Sequence, residues 1–449
     1  MKKIRHNEKK QSKHAQRCDG SLHTLHPTAH STGDSAQTAH GDNLQLQKSE
    51  TMKNFPTMKR SRASTPNAAA MGPSILSIPH YILMEILSKL PMTTICNCRC
   101  VCSYFRNLIS DPQFAQLHLS RSQPSLLLRS YCKRESSLCL VESIDPCVVD
   151  SGTNGDIRVP DNALLKFKPS FDLLIKGLEV LSSCNGIICL YKPRSYDPYV
   201  ICNPVVDEYV IVPQVEKGSI CGSGFGFCSG TNQYKVLRFL SLSVGFGSPG
   251  LIKLEAEINT VGTNFWRGVG DAPLYLHLYS GGCFLNGALH WIVHDTENCF
   301  KSMCCFNFGK ERFQPFPGPS QFRGLPGQLR VEMMKMVVLK DGLSVSHHPG
   351  NDMLEIWVMK DYAVQDSWTK DFVIEIPWLD NYPGLLYQPL MVWNNGQIMV
   401  FASVLFSCNM RDGSIRKVRV SRISSVIIGA TTYIPSFISL RNAATGRYP

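Results

Sequence analysis

The first regular pattern of apolar positions begins at residue 74 and has the spacing of α-helices. In SIPHYILMEILSKLP, apolar side chains recur three and four residues apart. Ser77 stands where an N-cap residue belongs, and Pro79 can occupy the first turn. Pro91 is predicted to end this first helix, because proline lacks the amide proton that a helix interior requires.

Two further helical segments follow closely. One is predicted to begin at Thr93 or Thr94 and to run to Ile109, and it carries apolar side chains on one side. Asp111 followed by Pro112 then predicts an N-cap and a first-turn proline, which start another short helix. The segment 74–120 is therefore predicted to form three or four short helices.

This helical segment is too small to bury all of its apolar side chains by itself. Part of its apolar surface must contact something else. One interpretation is that the helices pack against the rest of the chain. The other is that they form a docking surface for helices of another protein. The pattern alone leaves both open.

From residue 125 to about residue 440 the period of the pattern changes to two. Runs rich in Val, Ile and aromatic residues are separated by turn residues, as in YKVLRFLSLSV, DMLEIWVMK and IRKVRVSRI. No long helical pattern occurs in this part. The sequence therefore predicts an α+β multidomain protein, in which a small helical unit precedes a large all-β domain.

A weak internal repeat indicates the architecture of the β domain. Four dipeptides of the type that favours two-residue hairpin turns each precede an alternating run, and they recur about every 55 residues with one longer gap. Each unit resembles two hairpins, or four strands. Units of this kind are typical of β-propeller blades, and the alternative is a large two-sheet sandwich or barrel. The dipeptides are Asn185-Gly186, Asn286-Gly287, Asp341-Gly342 and Asn395-Gly396.

The formal net charge of +11 is concentrated at the N-terminus. Residues 1–72 contain 12 Lys and Arg against 5 Asp and Glu, which leaves +4 for the other 377 residues. These first residues lack apolar periodicity, so we predict a disordered basic tail. A second short tail is predicted over residues 441–449. Because most of the basic excess lies outside the folded part, the charge gives no reason to expect a nucleic-acid partner.

The pattern predicts neither a membrane span nor a secretion signal. No stretch offers about 20 consecutive apolar residues for a membrane span, and the N-terminus is charged where a signal peptide would be apolar. The 18 cysteines are scattered over a chain with enough apolar residues for a core. We therefore expect a cytoplasmic or nuclear protein with reduced thiols and no membrane partner.

Candidate chemistry is sparse. Cys96, Cys98, Cys100 and Cys102 alternate along a helix, which is not metal-ligand spacing, so we interpret them as small core residues. The glycine-rich run 222–227 is followed by a strand pattern and not by a helix, which argues against phosphate binding. No catalytic, metal or cofactor site is therefore predicted.

Three histidines need an interpretation of their own. His347 and His348 precede Pro349 and Gly350 and are interpreted as parts of an exposed loop. His290 lies beside Trp291 in a predicted strand, where one of the two is expected to face the core.

The helical segment carries the signature of a known family. SIPHYILMEILSKLPMTTICNCRCVCSYFRNLISDPQFAQLHLSRS resembles an F-box of the kind common in plants, over residues 74–120. Downstream, SCNGIICLY, ICNPVVDEYVIVP, GFGFCSGTNQYKVLRF and FLNGALHWI resemble the F-box-associated interaction domain that follows many such F-boxes. The resemblance covers about residues 74–440.

The resemblance implies a non-catalytic substrate receptor of an SCF-type cullin-RING ubiquitin ligase. Its F-box would dock on a Skp-type adaptor, which joins it to the cullin scaffold, and its β domain would capture an unknown target protein. No cofactor or metal is implied. The residues that would form or support the adaptor-binding surface are Ile78, Pro79, Ile82, Ile86, Leu87, Leu90, Pro91, Val101 and Leu108.

A second hypothesis comes from another class of function. The β domain could bind a glycan or a small ligand at the mouth of its ring, which would make the chain a lectin-like receptor. Tryptophan rings are the expected stacking platforms for sugars, although packing in the core explains the same residues.

Overall fold

The computed structural model describes residues 75–132, 135–142, 155–167, 177–193, 195, 197–214, 219–244, 251–273, 282–294, 300–322, 334–350, 352–376, 387–393, 396–420, 423 and 426–441. The predicted basic tail over residues 1–72 and the predicted C-terminal tail, apart from its first residue Arg441, lie outside these residues.

Four short α-helices form the N-terminal part, within the three or four predicted. The segment predicted to run as one helix to Ile109 is two helices, because Cys102 is extended and divides it. A single 3-10 turn, Ile75–Ser77, precedes them. The helices are α1 (His80–Leu87), α2 (Met92–Val101), α3 (Ser103–Ile109) and α4 (Pro112–Arg121).

Two of the predicted helix starts are wrong by one or two residues. Pro79 is the N-cap of α1 and Pro91 is the N-cap of α2, so Ser77 does not cap and α2 begins before Thr93 and Thr94. Both prolines have φ near −55° with an extended ψ, a conformation that leads the chain into a helix without a side-chain cap.

The predicted start of α4 is confirmed. Asp111 is its N-cap, and the Asp111 carboxylate accepts a hydrogen bond of 2.7 Å from the amide of Gln113. Pro112 occupies the first helical position. This cap satisfies one of the amide groups that the first turn leaves without a partner in the helix.

The β domain is a six-bladed propeller, so the propeller prediction is confirmed over the sandwich alternative. Blade 1 contains β1 (Ser125–Cys132), β2 (Glu135–Val141), β4 (Leu164–Phe167) and β25 (Val426–Tyr433). Blade 2 contains β5 (Glu179–Cys184), β6 (Ile187–Tyr191), β7 (Val200–Asn203) and β8 (Glu208–Ile211). Blade 3 contains β9 (Ser219–Cys228), β10 (Gln233–Val244), β11 (Leu251–Thr260) and β12 (Arg267–Asp271).

The remaining blades follow in chain order. Blade 4 contains β13 (Cys283–Leu285), β14 (Ala288–His294), β15 (Phe300–Asn307) and β16 (Arg312–Phe316). Blade 5 contains β17 (Lys335–Leu339), β18 (Gly342–Gly350), β19 (Met353–Met359) and β20 (Trp368–Glu375). Blade 6 contains β21 (Gln388–Val392), β22 (Gln397–Phe401), β23 (Leu405–Asn409) and β24 (Ile415–Val420), and β3 (Ile157–Val159) joins its outer edge in parallel.

Blade 1 closes the ring because it combines the two ends of the domain. Its order is β25-β1-β2-β4, so the last strand among the described residues is the inner strand of the first blade. Neighbouring blades contact each other through strands at or next to the centre, from β25 and β5 round to β21 and β25 again. Closure leaves no exposed edge along the inner strands.

The first two predicted hairpin turns are confirmed. Asn185 and Gly186 have φ of 50° and 80°, and Asn286 and Gly287 have φ of 50° and 73°. These positive angles at both central residues are those of a type I′ turn. The turns join the first and second strands of blades 2 and 4.

The third turn lies one residue earlier than predicted. Leu339 pairs with Gly342, so the central residues are Lys340 and Asp341, with φ of 47° and 63°. The glycine of the predicted dipeptide is the first residue of β18. The fourth predicted turn includes Asn395, which lies outside the described residues.

Gly186 provides a test of how tightly Ser436, in the segment after β25, packs against blade 2. A Cβ at Gly186 would overlap the Ser436 side chain, whereas Gly396 has a similar φ of 86° and nothing within 4 Å of its Cβ position. We expect Gly186→Ala to lower the unfolding free energy by about 2 to 5 kcal/mol, the sum of left-handed strain and overpacking.

Gly396→Ala is the matched control for this prediction. It should cost only the strain, about 1 to 2 kcal/mol. Urea denaturation of both variants measures the difference, and equal losses would contradict the packing described for Ser436.

Candidate protein-docking site

One face of the helical unit is buried against the propeller. The ring of Phe437, which follows β25, lies 5.7 Å from Phe114 and 5.1 Å from His118 of α4, measured between ring centroids. The hydroxyl of Ser122 donates a hydrogen bond of 3.1 Å to the carbonyl of Pro435. The helices and the first two blades share one apolar core, so the interpretation that the helices pack on the rest of the chain is confirmed for this face.

The segment after β25 is held from both sides. The amide of Asn203 donates to the carbonyls of Ser436 and Ile438, at 3.0 and 2.8 Å. The carboxylate of Glu208 accepts from the amide of Leu440 at 2.7 Å. Blade 2 therefore fixes this segment while Phe437 contacts α4, and the helical unit is attached to the ring through it.

A carboxylate of the propeller also contacts the N-terminus of α2. Glu142 follows β2, and its Oε2 accepts from the amide and the hydroxyl of Thr93, at 3.4 and 3.2 Å. A negative charge at this helix end is favourable. Burial nevertheless raises the pKa of Glu142, against the effect of these hydrogen bonds.

The buried His118 makes stability depend on pH. Burial lowers the pKa of His118 from 6.5 to about 4, so the unfolded chain binds a proton at a higher pH than the folded one. Its contribution is fully present above pH 6.5 and is lost as the pH falls towards 4. We expect the unfolding free energy to fall by about 3 kcal/mol over this range from His118 alone.

Denaturation at a series of pH values measures this effect. In His118→Gln, which cannot become charged, the fall should be smaller by that amount. A fall of equal size in the variant and the wild type would show that His118 is not the group responsible.

The opposite face of the helical unit exposes apolar side chains. Tyr81, Ile82 and Ile86 of α1 are 68%, 38% and 46% exposed, and Val101 at the end of α2 is 71% exposed. Ile75 in the preceding turn is also exposed. We call these five residues the exposed apolar surface. A group of large apolar side chains in so small a unit indicates a docking site for another protein.

The nine residues predicted for the adaptor-binding surface differ in their exposure to solvent. Ile82, Ile86 and Val101 are exposed, as are Pro79 and Pro91 at the starts of α1 and α2. The others contact the core: Ile78 and Leu90 are half-buried, while Leu87 and Leu108 are buried. Leu87 and Leu108 can therefore support the surface but do not form part of it.

Sequence reasoning missed Ile75 and Tyr81. Apolar residues occupy positions 81–84, 86 and 87 of α1, which is more than one face of a short helix. Leu83, Met84 and Leu87 are the buried ones. The width of the apolar stripe was the available signal that Tyr81 must lie on a second face.

Charged residues border the exposed apolar surface. Glu85 of α1 accepts two hydrogen bonds from Arg121 of α4, at 2.9 and 2.8 Å, and pairs with Lys89 at 3.1 Å. Arg121 and Lys89 together lower the pKa of Glu85. The Arg121 pair links the first and last helices, which keeps α1 in position beside the propeller.

The prediction that Cys96, Cys98, Cys100 and Cys102 are all core residues is wrong for one of them. Cys96, Cys98 and Cys102 are half-buried and pack against the core, whereas Cys100 is exposed. Every-second spacing on a helix spreads side chains around its axis, so one of the four reaches solvent. No cluster of three or more metal-ligating side chains occurs among the described residues.

The prediction of an exposed loop at His347 and His348 is wrong. Both lie in β18 and are buried. His347 Nε2 is 3.0 Å from Glu355 Oε2 on the neighbouring strand. The Pro349-Gly350 sequence indicated a loop, but the hairpin turn comes after it.

His290 and Trp291 are both buried, so the expectation that only one faces the core is also wrong. His290 Nδ1 is 3.0 Å from the carbonyl of Cys283, and its Nε2 is 2.9 Å from the hydroxyl of Tyr362 in the next blade. Both faces of a propeller blade are covered by neighbours, which is why alternation does not separate buried from exposed positions here.

The glycine-rich run lies within β9, in agreement with the strand pattern predicted after it. Gly226 leaves room for the rings of Phe284 and Phe308, which a Cβ would overlap. Gly226 therefore allows close packing between blades 3 and 4. No helix in the described part of the chain is long and apolar enough to cross a membrane.

A four-helix unit with an exposed apolar face, attached to a six-bladed propeller, defines a protein with two binding modules. Family models match both modules. The F-box domain model matches residues 75–117, and the model of the F-box associated beta propeller domain matches residues 135–440. The chain belongs to the F-box proteins with an F-box associated β-propeller.

Relatives from Arabidopsis thaliana agree with this assignment. The chain is 24% identical to F-box protein At3g07870 over 81% of its own length and 88% of that protein. It is 23% identical to F-box/kelch-repeat protein At3g23880, over 81% and 96% of the two chains. It is 24% identical to F-box protein CPR1, over 67% and 74%.

Proposed function

We propose that this protein is a substrate receptor of an SCF-type cullin-RING ubiquitin ligase. Its F-box docks on a Skp-type adaptor, and the adaptor links it to a cullin scaffold. The observation that carries this proposal is the exposed apolar surface of the F-box, which lies on the side that the propeller does not cover. Helix faces of this kind bind apolar grooves of a partner.

The propeller is the module that captures the target protein. It is attached to the F-box by Phe437, by the Asn203 contacts and by the Glu142 cap of α2. Such an attachment fixes the distance and direction between adaptor and target. The receptor performs no chemical step in this proposal; it raises the effective concentration of target lysines near the conjugating enzyme. It acts in the cytoplasm or the nucleus.

The lectin-like alternative has no specific observation in its favour. Trp291, Trp357, Trp368 and Trp393 are buried. The half-buried ring of Trp266 is covered by the guanidinium of Arg238, which lies 4.0 Å from its centroid. The described tryptophans are therefore buried or, in Trp266, covered on one face by a cation.

Co-purification tests the proposed function. The full chain is produced together with a Skp-type adaptor that carries the only affinity tag, and the eluate is analysed by gel filtration. We expect a one-to-one complex. A correctly folded chain that elutes apart from the adaptor would rule the proposal out.

A further inference from the structure

Blade 5 contains a lysine without a counterion. Lys335 is the first residue of the inner strand β17, and it is half-buried. Within the described part of the chain its amine makes no hydrogen bond or ion pair. Burial lowers the pKa of Lys335. Charged groups are rarely placed in such surroundings without a partner.

The side chain of Lys335 lies on the side of blade 5 that faces blade 6. Alternate residues of β17 belong to different cores: Met336 packs between blades 4 and 5, and Val337 and Leu339 pack between blades 5 and 6. Because side chains alternate along a strand, Lys335 shares the side of Val337.

A second polar group without a partner lies opposite. Ser346 of β18 pairs directly with Lys335, so their side chains lie on the same side of the sheet. Ser346 is fully buried, and its hydroxyl has no hydrogen-bond partner. His348, two residues further on that side, contacts the ring of Tyr387 in blade 6 at 5.7 Å. Polar groups buried in this way need an explanation.

This group lies on the ring face opposite to the F-box. The F-box side carries the turns between first and second strands, because Ser436 contacts the Gly186 turn there. The equivalent turn of blade 5 is Lys340-Asp341. Lys335 is at the other end of the same strand and therefore on the face opposite to the F-box.

We propose that Lys335 and Ser346 form a binding site for an anionic group, a carboxylate or a phosphate, on the captured protein. The Lys335 ammonium pairs with one oxygen of the anion. The Ser346 hydroxyl, which is buried in the free chain, donates to another oxygen once the half-buried Lys335 side chain has moved to meet the anion. The idea that the anion belongs to a protein rests on the proposed function, whereas the site itself can be tested with small anions on this chain alone.

Equilibrium dialysis of the full chain against radiolabelled inorganic phosphate, at constant ionic strength, tests the site. We expect one saturable phosphate per chain, lost in Lys335→Met and about tenfold weaker in Ser346→Ala, the ratio for one hydrogen bond. Lys417→Met, which changes an exposed lysine on β24, should bind like the wild type. If acetate displaces the bound phosphate, the site accepts a carboxylate. If acetate does not displace it, the site is specific for phosphate.

Two results would overturn the proposal. One is phosphate binding that is absent in the wild type or unchanged in Lys335→Met. The other comes from thermal unfolding in chloride buffer: a lower midpoint for Lys335→Met would mark the lysine as a structural residue. We expect an equal or higher midpoint, because the variant removes a charge without a partner. Neither result affects the test of adaptor binding.

Discussion

Ile86→Asp is expected to weaken binding of the Skp-type adaptor by at least about 100-fold. The substitution removes an apolar side chain worth about 1.5 to 3 kcal/mol when buried, and it adds a carboxylate to an apolar contact. Each 1.4 kcal/mol corresponds to about tenfold in the dissociation constant. Because Ile86 is 46% exposed in the chain itself, the variant should fold normally.

Ile211→Asp is the matched control for this prediction. Ile211 lies on the outer strand β8 of blade 2 and is 42% exposed, so the same change of side chain occurs at similar exposure outside the F-box. Isothermal titration calorimetry should give wild-type affinity for it. Equal weakening by both substitutions, or by neither, would contradict a docking site on α1.

Phe437→Ala is expected to have the largest effect on stability, about 3 to 5 kcal/mol, as for other fully packed aromatic residues. The reason is its position between α4 and the first two blades, where it contacts both Phe114 and His118. Loss of the Phe437 phenyl group should loosen the contact between the F-box and the propeller before the propeller itself unfolds. Trypsin should therefore cleave after Arg121, at the end of α4, faster than in the wild type.

Phe437→Leu is the control variant, which distinguishes the loss of the aromatic contacts from a general loosening of the segment after β25. It keeps an apolar side chain at the same position and should cost less than half as much. Denaturant titration with far-UV circular dichroism gives the free energies, and the cleavage rate gives the local loosening. Wild-type stability in Phe437→Ala would mean that the segment after β25 does not attach the F-box to the ring.

The division into helical and β parts was predictable because periods of three to four and of two residues are local signals. The Asn185-Gly186 and Asn286-Gly287 turns were predictable for the same reason, since positive φ restricts the residue types. The number of blades was not, because blade 1 is built from β1, β2 and β4 together with the last strand, β25. That pairing joins the two ends of the domain.

The site was only partly predictable because burial depends on the propeller. Leu87 and Leu108 have the same apolar character as Ile86, yet they are buried while Ile86 is exposed. Tyr81 was passed over because its exposure follows from the way in which α1 is oriented on the ring. Which apolar face stays exposed is a property of the packed molecule and not of the helix.

Hydrogen–deuterium exchange of the full chain with and without a purified Skp-type adaptor tests the central claim most directly. It reports which part of the folded receptor the adaptor covers. We predict slower exchange in the peptides that contain Ile75, residues 80–87 and Val101, with no change in blades 3 to 6. Unchanged exchange in these peptides despite adaptor binding, or protection confined to the propeller, would contradict the account.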